Sequence, residues 1–369
     1  MQRPKIKVII SGGGTGGHIF PAVAIAQALL RLNPQNELLF VGANGRMEME
    51  KVPAAGFKIV GLDIAGFQRR LTLSNLLLPF KVIGSLFKAR SIVKSFRPDA
   101  AVGVGGYASG PLLFAASGMK IPSLIQEQNS FAGITNRILA NRVSEICVAY
   151  EGMERYFPKS KIKLTGNPVR NDLQETAAKR EEALRFFGLR SDRPVLLVIG
   201  GSLGARTVNE AMSTGIDKLE QAGVQVVWQT GRQGISKATE VVKDKSESGI
   251  MAFDFIQRMD LAYAAADVVV SRAGASSVSE LAIAGKASIL VPSPNVAEDH
   301  QTKNAIALTG KNAALLVKDV EAASVLIDKA IGLLHDPAGR SKLEQNIKLM
   351  ALPGAADVIA DEIYKLTGK

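Results

Sequence analysis

The stretch Ala265-Ala-Asp-Val-Val-Val-Ser271, followed directly by Arg272-Ala-Gly-Ala-Ser-Ser-Val-Ser-Glu280, indicates how this chain folds. The first part is an apolar run of strand length, and the second is a turn of small residues that opens a helix. Backbone N–H groups at a helix N-terminus, together with the helix dipole, form a site for phosphate. Glu280 follows one turn later, within reach of a ribose on the same phosphates. The stretch therefore predicts an α/β fold with a nucleotide site.

The same pattern of strand, glycine-rich loop and helix occurs three more times. The other loops are Gly12–His18, Gly105–Gly110 and Gly200–Arg206, and each follows an apolar run. In open parallel sheets, ligands bind at the carboxyl ends of the strands. Glycines can also serve tight turns alone, but four such loops behind four strands favour ligand sites in both halves of the chain.

Strand and helix patterns alternate along all 369 residues, a length that exceeds one ordinary hydrophobic core. The turn sequence Gly166-Asn-Pro-Val-Arg170 interrupts this alternation and is the predicted linker. We therefore expect two doubly wound parallel-sheet domains, over residues 1–165 and 166–352. The amphipathic tail, 353–369, should form a helix that packs back on the N-terminal domain.

The composition is that of a globular protein, with 47% hydrophobic and 21% charged residues. The single cysteine, Cys147, excludes an internal disulfide and fits a reducing compartment. No signal peptide is visible, and the uncharged segment Ala100–Met119 reads as strand, loop and helix because it contains five glycines and Pro111. A net charge of +11 favours an anionic partner, but no aromatic–basic pattern indicates nucleic acid.

The basic excess is concentrated between Asp63 and Asp99, where no acidic residue occurs. On a helix, this segment has two apolar stripes, of which only one should face the core. The other is expected to contact an anionic membrane surface. Its apolar residues are Leu76, Phe80, Ile83 and Phe87, and its basic residues are Lys81, Lys88, Arg90 and Lys94. The alternative is a helix buried on two sides with a solvated basic rim.

Neither of two familiar nucleotide-binding motifs is complete in this sequence. Gly12-x-Gly14-x-x-Gly17 matches the dinucleotide fingerprint, but the acidic residue that should end the second strand is missing, since Glu37 begins it. No glycine loop ends in Gly-Lys-Ser/Thr, so a Walker motif is absent as well. No Asp-x-Asp pair or histidine–cysteine cluster occurs, and we expect no metal and no other cofactor.

Polar residues at predicted strand ends suggest contacts to a sugar. Gln126-Glu127-Gln128-Asn129 ends a strand in the first half, and Glu298-Asp299-His300-Gln301 follows one in the second. His18 lies directly behind the first glycine loop, and its ordinary pKa near neutrality suits a general base. It could instead only shape the loop, and Glu127 is the competing base.

Together these residues resemble the MurG family of peptidoglycan glycosyltransferases, glycosyltransferase family 28. The resemblance covers nearly the whole chain. Its markers, in order, are Gly13–His18, Gly105–Pro111, Glu127–Asn129, Gly166–Arg170, Gly200–Arg206, Arg272–Ala275 with Glu280, and Asp299–Gln301. It implies the GT-B fold, in which two Rossmann-like domains face each other across a cleft. It also implies metal-independent, inverting transfer of N-acetylglucosamine (GlcNAc) from UDP-GlcNAc to undecaprenyl-diphosphate-MurNAc-pentapeptide (lipid I), giving lipid II.

The resemblance also implies roles for individual residues. The donor would contact Phe255 and Ile256 (uracil), Glu280 (ribose), Arg170, Ser202, Ala275, Ser276 and Ser277 (diphosphate), and Asn129, His300 and Gln301 (GlcNAc). The acceptor diphosphate would contact Gly13, Gly14, Thr15, Gly16, Gly17, Gly105 and Gly106, with Tyr107 nearby. His18 would deprotonate the MurNAc 4-hydroxyl.

Family members work at the cytoplasmic face of the bacterial membrane, so a peripheral location and contacts with cell-wall synthesis and division proteins are implied. Three alternatives stay open at this point. They are a related transferase with another lipid acceptor such as diacylglycerol, a UDP-GlcNAc epimerase, and an inactive sugar-nucleotide-binding module.

Overall fold

A computed structural model describes residues 3–64, 78–169, 173, 176–201 and 204–369. The chain divides into two compact units. The first comprises Met1–Val169 and Gly354–Lys369, and the second comprises Arg170–Pro353. Each unit is an α/β structure built on one parallel sheet, so the predicted fold class is confirmed.

The sheet of the first unit has seven strands, in the order β3-β2-β1-β4-β5-β6-β7. The strands are β1 (Lys7–Gly12), β2 (Glu37–Ala43), β3 (Ile59–Leu62), β4 (Ala100–Gly105), β5 (Ser123–Glu127), β6 (Glu145–Val148) and β7 (Ile162–Leu164). The helices are α1 (Gly16–Leu32), α2 (Glu48–Ala54), α3 (Leu78–Phe96), α4 (Ser109–Gly118) and α5 (Ile134–Leu139), with 3₁₀ turns at Met153–Arg155 and Lys159–Lys161.

The sheet of the second unit has six strands, in the order β10-β9-β8-β11-β12-β13. The strands are β8 (Val195–Ile199), β9 (Gln225–Gln229), β10 (Ile250–Phe253), β11 (Val268–Ser271), β12 (Ser288–Leu290) and β13 (Leu315–Leu316). The helices are α6 (Arg180–Phe187), α7 (Arg206–Gln221), α8 (Ile235–Val242), α9 (Met259–Ala265), α10 (Ala275–Ala284), α11 (His300–Thr309), α12 (Ala322–Leu334) and α13 (Pro337–Lys348). Short 3₁₀ turns occur at Thr176–Lys179, Ser246–Ser248, Ala297–Asp299 and Asp319–Glu321.

Burial on both faces explains why the strands read as continuous apolar runs. On β1, Val8 and Ile10 enter one hydrophobic core, whereas Ile9 enters the core on the opposite face. Alternate side chains of a strand point to opposite faces, so a sheet covered by helices on both sides needs apolar residues at every position. The second unit follows the same rule and buries the only tryptophan, Trp228.

The tail forms a last helix, α14 (Ala355–Thr367), which packs in the first unit. Its residues Ile359 and Ile363 lie in the same core as Leu29 of α1. The buried Tyr364 hydroxyl bonds to the Asn36 side chain at 2.8–3.1 Å. An amphipathic helix that buries one face in this way belongs structurally to the sheet that it covers.

The first unit extends through the predicted linker as far as Val169. The backbone N–H groups of Thr165 and Gly166 donate to the Val148 carbonyl, at 3.0 and 3.2 Å. Asn167 is buried, accepts from the Gln126 side chain and donates to a loop carbonyl, both at 2.9 Å. These bonds tie the start of the linker to the first sheet.

Within the described part of the chain, no helix has both the length and the apolar character needed to cross a membrane. The same described residues bring together no group of three or more His, Cys, Asp or Glu side chains suited to a metal ion.

Candidate functional site

The sheet orders place the four glycine-rich loops in two pairs. Strand β1 lies beside β4 in the first sheet, and β8 lies beside β11 in the second. After one strand of each pair the chain continues to the strand on one side, and after the other strand it continues to the opposite side. The loops behind such a pair are a topological switch point, where α/β sheets bind ligands. Each unit therefore has one candidate ligand site.

In the first unit, the two loops touch through their backbones. The Gly13 N–H donates to the Gly105 carbonyl at 3.2 Å. Gly106 has a φ of +92°, and a Cβ at this position would lie 2.4 Å from the Gly13 carbonyl oxygen. Only glycine allows both this backbone conformation and this close approach. Glycine at position 106 therefore lets the two predicted acceptor loops pack against each other.

His18 lies in the first turn of α1 and is partly buried. Its Nδ1 is 3.0 Å from the Gly13 carbonyl oxygen and 3.5 Å from the Thr15 hydroxyl. Because a carbonyl oxygen only accepts, the Gly13 contact requires a proton on Nδ1. In the neutral ring the lone pair is then on Nε2, which is the form required of a general base.

Glu127 ends β5 and is 2% exposed. Its carboxylate accepts from the backbone N–H groups of Asn129 and Gly133, both at 3.0 Å, and from the Asn129 and Asn136 side chains, at 3.4 and 2.8 Å. Burial raises the pKa of the Glu127 carboxyl above its ordinary value, although these hydrogen bonds oppose the shift. Four donors on one carboxylate organise the loop from Asn129 to Asn136, which fits a positioning role better than that of a base.

Tyr107 lies within the second glycine loop of the first unit and is 45% exposed. The Arg46 guanidinium lies 5.8 Å from the centre of its ring. Arg46 is exposed and comes from the loop behind β2. Sequence analysis did not select Arg46, because only the folded sheet places this loop near Tyr107. The pair adds a cation beside the predicted acceptor loops.

In the second unit, α10 begins at Ala275, directly behind β11 and the N-cap Gly274. Ser276 and Ser277 follow in the first turn and are partly buried. These positions agree with the helix N-terminus predicted for a diphosphate. Glu280 lies on the same helix, and its Oε2 accepts from the hydroxyl of Tyr263 at 3.1 Å. Tyr263 is fully buried on α9 and was not selected from the sequence.

Arg272, at the end of β11, is mostly buried and acts as a structural clamp. Its guanidinium donates to the Val291 carbonyl at 3.0 Å and to the Thr207 hydroxyl at 3.0 Å, and it pairs with the Asp319 carboxylate. These contacts join the loops behind β11, β12 and β13. Arg272, which is one of the family markers in the sequence, therefore stabilises the loop behind β11 through its own hydrogen bonds and ion pair.

The predicted sugar-contacting loop of the second unit has an uncommon backbone. Glu298 and Asp299 both adopt the left-handed region, with φ of 55° and 51°. Such a conformation costs about 1–3 kcal/mol at a non-glycine residue and concentrates at functional sites. His300 then opens α11, and the Gln301 Oε1 accepts from the Ser293 N–H at 2.8 Å. Gln301 is therefore held beside the loop that follows β12, with His300 directly before it at the start of α11.

The two predicted uracil contacts differ in exposure. Phe255 is 51% exposed, whereas the Ile256 side chain is 4% exposed and its backbone N–H donates to the Gln229 side chain at 3.0 Å. Arg170 and Ser202, predicted at the diphosphate, lie outside the described residues.

Helix α3 buries one of its two apolar stripes. Ala89 and Val93 are fully buried against the sheet. Ile83 and Phe87 of the other stripe are 52% and 71% exposed. The exposed basic residues of this helix are Lys81, Lys88, Arg90 and Lys94. Leu76 and the Phe80 side chain lie outside the described part. The alternative of a helix buried on two sides is wrong for the described turns.

Two family models match the chain. The glycosyltransferase family 28 N-terminal domain matches residues 8–148, and the glycosyltransferase family 28 C-terminal domain matches residues 195–359. Together they cover more than half of the sequence. The first match spans β1 to β6, and the second contains β8 to β13 and the start of α14.

Full-length relatives agree with this result. A UDP-N-acetylglucosamine–N-acetylmuramyl-(pentapeptide) pyrophosphoryl-undecaprenol N-acetylglucosamine transferase from Parabacteroides distasonis is 54% identical over 365 residues, which are 99% of each chain. The enzyme of the same name from Phocaeicola vulgatus is 54% identical over 99% of this chain and 97% of its own. The crystal structure of Acinetobacter baumannii MurG matches with a TM-score of 0.78 at 29% identity, over 98% of this chain and 100% of that one. With both domains matched and this degree of identity, the chain belongs to glycosyltransferase family 28.

Proposed function

We propose that the chain transfers GlcNAc from UDP-GlcNAc to the MurNAc 4-hydroxyl of lipid I, giving lipid II for peptidoglycan synthesis. The observation that carries the proposal is identity of 52–54% over nearly the whole chain with transferases whose name states this reaction. Those names specify a pyrophosphoryl-undecaprenol acceptor, which favours lipid I over a diacylglycerol. As a step in cell-wall synthesis, the reaction connects the enzyme to cell shape and division.

The second unit would bind the donor. The N-terminus of α10, with Ala275, Ser276 and Ser277, would bind the diphosphate, and Glu280 would accept hydrogen bonds from the ribose hydroxyls. Phe255 offers an exposed ring for the uracil, and Ile256 would contribute only its backbone. The roles of Arg170 and Ser202 at the diphosphate, and of His300 and Gln301 at the GlcNAc, follow the family resemblance. The same resemblance assigns a GlcNAc contact to Asn129, which belongs to the first unit. Helix dipole and hydroxyl donors would stabilise charge on the departing UDP.

The first unit would bind the acceptor. Its paired loops would supply backbone N–H groups other than those of Gly13 and Gly14, which bond to Gly105 and Glu48. The lipid I diphosphate would lie along residues 13–17, 105 and 106, beside Tyr107 and Arg46. His18 Nε2 would remove the proton of the MurNAc 4-hydroxyl as that oxygen attacks the anomeric carbon. Attack opposite the UDP leaving group inverts the configuration. No step requires a metal ion in this scheme.

The proposal is tested by transfer of labelled GlcNAc from UDP-GlcNAc to a lipid I analogue. Parallel reactions contain EDTA or offer diacylglycerol instead. We expect label on the lipid I analogue alone, with no loss in EDTA. Label on diacylglycerol would identify the alternative acceptor, and loss of activity in EDTA would contradict the metal-free mechanism.

Tyr263 should orient Glu280 for the ribose. Tyr263→Phe removes the hydrogen bond at 3.1 Å, so we expect UDP affinity to fall roughly fivefold, corresponding to about 1 kcal/mol. Calorimetric titration with UDP and with 2′,3′-dideoxy-UDP measures this effect. The loss should vanish for the dideoxy nucleotide, because it has no ribose diol.

Tyr150→Phe is the matched control for that titration. Its hydroxyl is buried and makes no hydrogen bond to the described residues of the chain, so UDP affinity should not change. An equal loss for both nucleotides in Tyr263→Phe would show that the hydroxyl acts on the fold and not on ribose recognition.

We also propose that the exposed stripe of α3 docks on anionic lipid. Docking would place the enzyme at the cytoplasmic face of the membrane. Cell-wall synthesis and division proteins could contact it there. The double change Ile83→Ser and Phe87→Ser removes two exposed apolar side chains. We expect binding to phosphatidylglycerol vesicles to fall by at least about tenfold, since each buried side chain of this size contributes about 1.5–3 kcal/mol.

Vesicle sedimentation measures that binding. Phe186→Ser, a change at a 57% exposed phenylalanine of the second unit, is the control and should bind vesicles normally. Activity toward a soluble acceptor analogue should be retained in both variants. Normal vesicle binding by the α3 variant would contradict the proposed docking surface.

A further inference from the structure

Glu48 is a buried acidic residue beside the glycine loop that carries His18. It begins α2, and its side chain is 1% exposed. Its Oε1 accepts from the Ala43 N–H at 3.0 Å, and its Oε2 accepts from the Gly14 N–H at 2.8 Å. A carboxylate next to loops proposed for a diphosphate is unfavourable for binding that anion, so its presence calls for another role.

The Gly14 N–H and the Gly13 carbonyl are the two ends of a single peptide group. Glu48 binds the N–H end, and His18 Nδ1 binds the carbonyl end at 3.0 Å. One continuous chain of hydrogen bonds therefore runs from the Glu48 carboxylate through this peptide group to the imidazole.

Resonance in the peptide group couples its two ends. A carboxylate that accepts from the N–H draws the proton toward itself and shifts electron density onto the carbonyl oxygen. Hydrogen bonds in such chains strengthen one another, particularly where water is excluded. The Gly13 carbonyl becomes a better acceptor for Nδ1–H, which favours the tautomer with its lone pair on Nε2.

We propose that Glu48 is a positioning residue for His18 and fixes its ring tautomer through the Gly13–Gly14 peptide group. The inference rests on the proposed role of His18 as general base. It accounts for a buried carboxylate that otherwise has no part in the reaction.

Close packing supports this geometry. A Cβ on Gly13 would lie 2.2 Å from Glu48 Oε1, and a Cβ on Gly105 would lie 2.7 Å from His18 Cδ2. Glycine at both positions is what allows the carboxylate and the imidazole to approach the loop from two sides.

Nitrogen-15 NMR of the His18 ring tests the proposal, because the shifts of Nδ1 and Nε2 distinguish the two tautomers. The chain has three histidines, so single replacements assign the signals. Glu48→Gln offers one amide oxygen to two backbone N–H groups, so one of them loses its acceptor. We expect the wild type to show one tautomer and Glu48→Gln to show a mixture.

Glu50→Gln is the matched control, because Glu50 lies on the same helix with a side chain that is 78% exposed. It should leave the His18 signals unchanged. Glu48→Asp keeps the charge but shortens the side chain, and it replaces Glu48→Gln in the NMR measurement if Glu48→Gln does not fold. An unchanged tautomer in a folded Glu48 variant would overturn the proposal.

Kinetics give a second, independent measurement. We expect Glu48→Gln to lower kcat roughly tenfold, part of the usual contribution of a general base, with little change in KM for UDP-GlcNAc. In a His18→Gln background the same change should have no further effect on kcat. An equal loss in both backgrounds would assign Glu48 to loop structure alone. If the wild type does not transfer GlcNAc, the proposed function fails, while the NMR measurement still decides the coupling.

Discussion

His18→Ala is expected to reduce transfer to the lipid I analogue by about 10²–10⁴-fold and to leave UDP affinity unchanged. This is the usual contribution of a general base that is held in place. The Nδ1 contact to Gly13 at 3.0 Å fixes the ring so that its lone pair is on Nε2. The donor is assigned to the other unit, so removing the imidazole should not disturb UDP. Single-turnover transfer and calorimetric UDP titration measure the two effects.

His335→Ala is the control for this prediction. His335 is exposed at the end of α12 and bonds only to its own helix in the described contacts, with Nδ1 3.0 Å from the Ile331 carbonyl. Its loss should change neither rate nor affinity. Near-normal transfer by His18→Ala would contradict the role of His18 as general base. Glu127 would then be the candidate base, although its carboxylate already accepts four hydrogen bonds.

Much of the fold could be predicted because both sheets are covered on both faces. An uninterrupted apolar run of strand length that ends in glycines, such as Val195–Ile199, predicts a strand buried on both faces, and the structure has a strand with these bounds. The glycine loops behind these strands predict phosphate sites because they open helix N-termini, and this assignment stays a prediction. Local sequence was sufficient because each strand, turn and helix N-terminus is determined by neighbouring residues.

The supporting residues could not be predicted, because their roles depend on distant partners. Glu48 reaches Gly14 across 34 positions, and Arg272 reaches Asp319 across 47. Tyr263 looks like a core residue in the sequence, and only the folded unit brings its hydroxyl on α9 to the Glu280 carboxylate on α10. Such residues lack a motif of their own. Sequence therefore finds the groups that would touch substrate more readily than the groups that hold them.

Arg272→Ala is expected to lower the free energy of unfolding of the second unit by about 3 kcal/mol. The Arg272 and Asp319 side chains are only 16% and 14% exposed. Removing one partner of a largely buried ion pair leaves the other charge without compensation, which typically costs about 3–5 kcal/mol. The Val291 carbonyl and the Thr207 hydroxyl would lose a donor as well.

Urea unfolding followed by tryptophan fluorescence isolates this effect, because Trp228 is the only tryptophan and is buried in the second unit. Arg206→Ala is the control, since its ion pair with Glu210 is exposed and should contribute less than about 1 kcal/mol. The double change Arg272→Met and Asp319→Leu should recover part of the lost stability, because it removes both charges. A direct role for Arg272 at the diphosphate predicts the opposite pattern, with normal unfolding and weak UDP binding. The network around its guanidinium favours the structural role.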